Sequence, residues 1–220
     1  MSNSSGPQYY RNSGAEVMGV LKGIVLFAVL AGACVARHIA AEPAFCRELE
    51  CPKFTTDYTT KDYEKRTYPQ SMWVSTTIIG VDYQGASTQG FDKLFEYISG
   101  KNSEKKKIDM TAPVITRVMP GQGPTCADNF TVSFMVPFEL QPNPPQPTDS
   151  SVIVSTLPAH QAYVRSYPGF SNEKKFLEEA EALAKALNSS QPYQKSFYYT
   201  AGYDSPFTVL NRHNEIWFII

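Results

Sequence analysis

One short segment occurs twice, once in each half of the chain, and it restricts the fold more than any other feature. Residues 63–69, Tyr-Glu-Lys-Arg-Thr-Tyr-Pro, resemble residues 163–168, Tyr-Val-Arg-Ser-Tyr-Pro. Each copy precedes a helical pattern that is followed by strands. Two halves of the type ββαββ that face each other would close into an antiparallel, barrel-like sheet with both helices outside. The repeat predicts this α+β architecture and leaves the order of the strands open.

Each half contains one amphipathic helix. In the first half, Phe91, Leu94, Phe95 and Ile98 recur at helical spacing. Gly100 follows where a left-handed C-cap is expected. In the second half, Ser171 or Asn172 can cap a helix. The apolar stripe of this helix consists of Phe176, Leu177, Ala180, Leu183, Ala184 and Leu187. Its glutamates and lysines are expected to face water.

The strands are indicated by composition and alternation. The run 73–83 is rich in β-branched and aromatic residues, and the run 108–118 is also extended, with Pro113 confining its segment to an edge or a bulge. Phe130 and Val132 begin an alternation over 130–136 that predicts a strand with one buried face. In the second half the predicted strands are 152–156, 162–166, 195–203 and 215–220. The proline-rich stretch 141–150 is interpreted as an exposed rigid connector, and a docking motif for another protein is the alternative.

The N-terminal region has the composition of a targeting segment. Residues 23–36 form an uncharged apolar run after Lys22. Fourteen residues in a helix cover roughly 21 Å, which is short of the roughly 30 Å hydrocarbon core of a bilayer. We interpret residues 1–41 as a signal peptide with an upstream extension, with cleavage after Ala33, Ala36 or Ala41. The alternative is a short membrane anchor. Residues 42–57 then form a lead-in segment, and 58–220 form the domain.

Secretion changes the interpretation of the cysteines. Cys46, Cys51 and Cys126 remain after cleavage, so one thiol is left unpaired or intermolecular, and three pairings are possible. Asn129 and Asn188 stand in glycosylation sequons. These features predict a secreted, disulfide-bonded glycoprotein without stable membrane insertion.

The chain carries none of the motifs of common enzymes. It has no Gly-x-Ser-x-Gly elbow, no phosphate-binding glycine loop, no His-Glu-x-x-His and no cysteine pairs at zinc spacing. Only His160 and His213 lie in the predicted mature region. The net charge is -1 and the basic residues are dispersed, which does not indicate nucleic-acid binding. We therefore expect a binding protein and not an enzyme.

Aromatic side chains are the remaining candidates for function. The chain has 13 tyrosines and 13 phenylalanines, many of them in the first helix and near the C-terminus. A flat apolar ligand needs a concave apolar wall with a few polar anchors. The same aromatic residues also suit an ordinary core. His213, beside Arg212, is either a solvated loop residue or a ligand.

Several motifs, in their order along the chain, resemble the SOUL/heme-binding protein family from about residue 58 to the C-terminus. These motifs are Lys-Ile-Asp-Met-Thr-Ala-Pro-Val at 107–114, Val-Arg-Ser-Tyr-Pro-Gly-Phe at 164–170, Tyr-Thr-Ala-Gly-Tyr-Asp at 199–204 and Asn-Glu-Ile-Trp at 214–217. The resemblance implies a distorted antiparallel β-barrel of two pseudo-repeated halves flanked by two α-helices. It also implies that heme or a porphyrin binds in a shallow apolar cleft between the first helix and the loop after residue 202.

The resemblance assigns residues to this cleft. The walls would be Phe91, Leu94 and Phe95 on the helix, and Tyr203, Phe207, Leu210 and His213 on the loop. His213 could then coordinate iron and Arg212 could meet a propionate, and binding by packing alone is the alternative. Secreted members of the family also favour a bond between Cys51 and Cys126.

Two departures from the family pattern bear on the ligand. Thr67 stands where one branch has a histidine proposed to bind heme, and Thr208 stands where another branch has a lysine. Two hypotheses follow from the sequence. The first is extracellular capture or transport of heme, porphyrin or a similar flat apolar molecule. The second is a secreted protein-interaction domain of the same fold without significant tetrapyrrole affinity, with protein partners unknown.

Overall fold

The computed structural model describes residues 42–119, 129–187 and 191–220. Within these ranges the strands are β1 Thr55–Thr59, β2 Glu64–Tyr68, β3 Ser71–Ile79, β4 Val114–Val118, β5 Asn129–Met135, β6 Val152–Leu157, β7 His160–Pro168, β8 Tyr198–Gly202 and β9 His213–Ile219. The helices are α1 Tyr83–Ile98 and α2 Glu173–Ala186. The predicted signal region, Cys126 and Asn188 lie outside the described residues. Neither helix in the described ranges is long and apolar enough to cross a membrane.

The strands form one curled antiparallel sheet in the order β1-β2-β7-β9-β8-β4-β5-β3-β6. Each half has the predicted connectivity, with β2-β3-α1-β4-β5 followed by β6-β7-α2-β8-β9. The first strand of each half pairs with the other half, β2 with β7 and β6 with β3. Strands β4 and β8 join the halves at the centre. The predicted α+β barrel-like fold is confirmed, and β1, which was not predicted, begins inside the lead-in segment 42–57.

The predicted helix boundaries are confirmed by their caps. Asn172 caps α2, because its Oδ1 accepts the Lys175 N–H at 2.9 Å. At the end of α1, Gly100 has a φ of 117°, and the Lys101 N–H returns to the carbonyl of Glu96 at 3.0 Å. This is the left-handed ending that glycine favours.

Three details of the strand and helix predictions are wrong. Strand β5 lies between β4 and β3 and buries both faces, because Ser133 and Met135 are covered as well as the predicted apolar residues. Pro113 does not mark an edge, because it lies just before β4, an interior strand, and leaves the ladder intact. Glu179 does not face water. It is buried on α2, where its carboxylate accepts from Arg165 at 2.7 Å and pairs with Lys175 at 2.8 Å.

The proline-rich connector is an internal part of the fold. The Tyr97 hydroxyl donates to the Pro145 carbonyl at 2.8 Å, and the Ser103 N–H donates to the Gln146 carbonyl at 2.7 Å. Pro145 is buried, which differs from the predicted full exposure of this stretch. These bonds fasten the connector to the loop after α1.

The disulfide joins Cys46 to Cys51, so the predicted pairing of Cys51 with Cys126 is wrong. A short 3₁₀ helix, Ala44–Cys46, is followed by a turn in which Arg47 has a φ of 58°. This turn brings the two Cα atoms to 6.1 Å, within the usual range for a disulfide. Asn129 of the first sequon lies at the exposed start of β5.

Alternation along the strands produces a core on each face of the sheet. On β9, Ile216 and Phe218 point to the face that carries the helices, and Glu215 and Trp217 point to the inner, concave face. Segment 43–54 covers the inner face. Its Phe45 and Phe54 pack against that core.

Gly90 sets how closely α1 approaches the sheet. A Cβ added there would lie 2.5 Å from Val132 Cγ2 on β5. Helix propensity alone favours alanine by about 1 kcal/mol. We nevertheless expect Gly90→Ala to lower the free energy of unfolding by about 1–3 kcal/mol through overpacking. Chemical denaturation measures this, with the exposed Gln89→Ala as control, expected within about 0.5 kcal/mol of wild type. A stabilised Gly90→Ala protein would contradict the close contact.

Candidate functional site

Two of the three helix residues predicted for the ligand cleft form an aromatic pair. The rings of Phe91 and Phe95 stack with centroids 5.8 Å apart, and Phe91 also contacts Phe134 of β5. Leu94 is fully buried and anchors α1 to the sheet, so it does not reach solvent. Phe95 is 50% exposed. Of the three predicted residues, Phe95 is therefore the one that offers a free apolar face.

The loop between β8 and β9 presents large apolar side chains to water. Phe207, Val209 and Leu210 are 90%, 69% and 76% exposed. Arg212 holds the loop, because its Nη1 donates to the carbonyls of Ser205 at 2.8 Å and Thr208 at 2.7 Å. A loop fixed in this way displays its apolar residues instead of folding them inward.

Asp204 anchors the start of this loop. Its Oδ2 accepts the backbone N–H of His213 at 2.6 Å, which closes the loop across its base. Its Oδ1 accepts from Arg47 Nε at 2.8 Å, and Arg47 also donates to the Asn211 carbonyl at 3.2 Å. Arg47 follows Cys46 of the disulfide, so the N-terminal turn and the loop are fastened to each other.

The sheet places the start of the loop one strand away from the cluster that contains Phe91. Val114, at the start of β4, packs in the same cluster as Phe91. Val114 pairs with Gly202, the last residue of β8 before the loop. Because neighbouring strands are about 4.8 Å apart, the loop leaves the sheet one strand away from the α1 cluster. No ring contact among the described residues joins the two groups directly.

Tyr203 and His213 belong to a different group, a buried network around Glu215 on the inner face. Each oxygen of this carboxylate is hydrogen-bonded. Oε1 accepts from Arg66 at 3.0 Å and from His213 Nε2 at 2.8 Å. Oε2 accepts from the Tyr203 hydroxyl at 2.8 Å and from the indole N–H of Trp217 at 2.7 Å.

Opposite charges and hydrogen bonds stabilise the ionised form of this network against the cost of burial. Burial alone would raise the pKa of Glu215, but the bond from His213 and the charge of Arg66 together lower it to about 2. Burial raises the pKa of Tyr203, and the Glu215 charge raises it further, so the phenol remains a donor. Burial opposes the charged form of Arg66, yet Glu215 raises the pKa of the guanidinium.

The contacts of His213 compete with its predicted role as an iron ligand. Its ring lies 4.0 Å from Phe45 in a parallel stack, and its Nε2 donates to Glu215. An axial bond from Nε2 would require His213 to leave this hydrogen bond. His160 lies on β7, stacked on Tyr68, with its Nδ1 bonded to the Pro158 carbonyl. Neither described histidine faces Phe95 or Phe207 in a ring contact. Over the described ranges, no group of three or more histidine, cysteine, aspartate or glutamate residues is arranged to hold a metal ion.

Comparison with known proteins identifies the family. Residues 49–219 match the family model described as SOUL heme-binding protein. The chain belongs to the SOUL heme-binding protein family. It is 40% identical over 185 residues to human heme-binding protein 2, covering 82% of this chain and 90% of that protein. It is 30% identical over 157 residues to heme-binding protein 1 of Xenopus laevis, covering 71% and 83%.

The fold of this SOUL domain also occurs in distant proteins. A cryo-EM structure of an EcmrR–DNA complex matches with a TM-score of 0.54 and 12% identity, over 71% of this chain and 56% of that chain. The EcmrR C-terminal domain matches with a TM-score of 0.50 and 14% identity, over 71% and 96%. At these identities the likeness concerns the fold alone.

The residues that organise the site of this SOUL protein were not predicted from the sequence. Asp204 and Arg47 were not predicted to meet, because 157 positions separate them. Glu215 gave one usable signal, since it is a single carboxylate followed by the apolar residues Ile216, Trp217 and Phe218. A charge in such a run is expected to be paired.

Removal of the Glu215 charge should destabilise the fold strongly. Glu215→Gln leaves Arg66 buried without its main counter-charge, and we expect a loss of about 3–5 kcal/mol in the free energy of unfolding. Glu181→Gln, which removes an exposed pair with Lys185, is the control and should cost less than about 1 kcal/mol.

The pH dependence of the same variant tests the sign of the effect. In the folded state the pKa of Glu215 is lowered from its ordinary value of 4.5 to about 2. The stabilisation that Glu215 provides is therefore complete above about pH 4.5 and is lost as the pH falls towards 2. Wild type should therefore lose more stability than Glu215→Gln between pH 5 and about 2. Parallel losses in both proteins would show that Glu215 does not carry this charge interaction.

Proposed function

We propose that this protein binds heme or a related porphyrin on the apolar surface formed by the β8–β9 loop and the exposed face of α1. One observation carries the proposal: Phe207, Val209 and Leu210 are exposed on a loop that Arg212 and Asp204 hold in place. Exposed apolar side chains that cluster on a fixed loop are typical of binding surfaces. The names of the relatives, heme-binding proteins 1 and 2, support the same class of ligand.

Burial of a flat apolar ring would supply the binding free energy. Each Å² of apolar surface removed from water contributes about 25 cal/mol. Phe95 and Phe207 can cover the faces of such a ring, and Leu210 can cover an edge. When bound, heme would supply its own iron chemistry. The residues described here would supply packing and a fixed loop, so we infer a binding role and not catalysis.

Binding by packing alone fits this chain better than ligation by histidine. His213 is engaged with Glu215 and Phe45, and Arg212 is engaged with the carbonyls of its own loop. We therefore propose that iron receives no axial bond from His213 and that Arg212 positions the loop instead of meeting a propionate.

We also propose that the protein acts outside the cell, in capture or transport of its ligand. The apolar run 23–36 with small residues at its end supports this, and so does the disulfide between Cys46 and Cys51, because such bonds persist in oxidising compartments.

The ligand proposal is tested by titrating the full chain with hemin and with metal-free protoporphyrin IX, followed by absorbance and by tryptophan quenching. Phe207→Ser combined with Leu210→Ser should weaken both ligands about tenfold, which corresponds to about 1.4 kcal/mol of lost burial. Ile153→Ser, a change at a 57% exposed residue of β6, is the matched control and should leave both affinities unchanged.

The same titration tests the role of His213. Without an axial bond, His213→Ala should change hemin and protoporphyrin affinity equally and by less than about threefold, with no shift of the Soret band. A selective loss of hemin binding would restore His213 as a ligand. If the wild type bound neither ligand, the protein would be a protein-interaction domain of the same fold.

The location is tested by expression in secreting animal cells. Protein recovered from the medium should begin between residues 34 and 42, as determined by N-terminal sequencing. Leu26→Arg, which interrupts the apolar run, should abolish its appearance in the medium. A membrane-bound product that retains residues 1–30 would contradict secretion.

A further inference from the structure

A cavity lies away from the loop, between α2 and the sheet. Its volume is about 620 Å³, within the range of small-molecule sites. Its floor is built by Phe218 of β9, Tyr198 of β8, Val118 of β4 and Phe130 of β5. These four strands are adjacent in the sheet, so the floor spans three strand spacings, or about 14 Å.

The placement of the helices explains why this space is open. Helix α1 packs mainly on β3 and β5, and α2 packs mainly on β7 and β9. Strands β4 and β8, where the two halves meet, therefore lie between the helices. The space is partly open to solvent, so it is a groove that the spacing of the two helices leaves over the sheet.

The wall of the cavity is aromatic and already packed. Phe176 and Tyr198 lie 6.4 Å apart, and Tyr193 stacks on Phe218 at 4.6 Å. Because these rings support one another, a ligand would meet a preformed surface and would not pay to order it. At the rim Leu177 is 48% exposed, although it belongs to the apolar stripe of α2.

One polar atom in the wall has no partner. The Tyr198 hydroxyl is buried and makes no hydrogen bond to the described residues. Burial raises the pKa of Tyr198, so the group stays protonated at neutral pH. A buried hydroxyl without a partner is unfavourable, and a ligand with one hydrogen-bonding group would supply that partner.

The charged side chains at the rim limit which ligands the cavity can bind. Glu173 and Glu181 line the cavity on the α2 side, and Lys195 lines it on the other. Glu181 is paired with Lys185 at 3.8 Å, so the charges at the rim nearly balance, and an anionic group would enter an apolar space without a free counter-charge. A porphyrin with its two propionates therefore suits this cavity poorly.

We propose that the cavity beneath α2 is a second binding site, for a neutral ligand of two or three aromatic rings that carries one hydrogen-bonding group. The site is separate from the loop surface and does not depend on porphyrin binding. Rings of this size match the floor, and the polar group would meet Tyr198.

The test uses two probes with the same ring system. N-phenyl-1-naphthylamine is neutral, and 8-anilinonaphthalene-1-sulfonate adds one negative charge. With the full chain, fluorescence titration should show the neutral probe binding at least about tenfold more tightly. Tyr198→Phe should weaken the neutral probe by about two- to tenfold. A saturating amount of hemin should leave its affinity unchanged.

Two substitutions on α2 locate the probe. Ala184→Trp places a large ring in the cavity and should reduce binding of the neutral probe at least about tenfold. Ala182→Trp makes the same change at a residue outside the lining and should have less than a twofold effect. Cooperative thermal unfolding of both variants confirms that they fold.

Three results would overturn the proposal: equal effects of the two tryptophan variants, tighter binding of the sulfonate probe, or competition by hemin. Failure of hemin to bind the loop surface would leave the cavity result intact, so the two proposals are judged separately.

Discussion

The ion pair between Glu215 and Arg66 connects the two halves of this protein across 149 positions of sequence. Arg66 lies on β2 of the first half and Glu215 lies on β9 of the second, with β7 between the two strands. Two buried charges are tolerated only when each is paired and its remaining donors or acceptors are satisfied. The donors that satisfy Glu215, from Tyr203 and His213, lie at the two ends of the β8–β9 loop. The hydrogen bonds that satisfy Glu215 in the core therefore fix both ends of the surface loop.

The N-terminal turn also contacts both ends of this loop. Phe45 stacks on His213, and Arg47 bonds Asp204, with the disulfide between Cys46 and Cys51 closing the turn that carries both residues. The proposed ligand surface is therefore held by a buried carboxylate below and by a cross-linked turn beside it. These contacts hold the base of a loop whose own exposed apolar side chains contribute little burial.

Local signals in the sequence predicted local structure, and contacts between distant segments were not accessible to them. Gly100 and Asn172 marked the helix ends because capping depends on neighbours within four residues. The pairing of Cys51 was predicted wrongly because it followed the family resemblance. No sequence pattern indicates the turn at Arg47 that brings Cys51 to Cys46. The sequence identified apolar residues for the candidate site, but whether Leu94 is buried and Phe207 exposed depends on how α1 and the loop meet the sheet.

The repeated segment shows most clearly where prediction from sequence ends. When the two copies are aligned at Tyr63 and Tyr163, the second is one residue shorter. Arg66 then corresponds to Ser166, and both side chains reach Glu215 on the inner face. The missing residue moves the next tyrosine of the second copy, Tyr167, to the helix face, whereas Tyr68 of the first copy stays inside. Because side chains alternate between faces, a difference of one residue sends similar residues to opposite cores. The repeat therefore predicts the shared fold. Its one-residue deletion decides which half supplies the buried cation that pairs with Glu215.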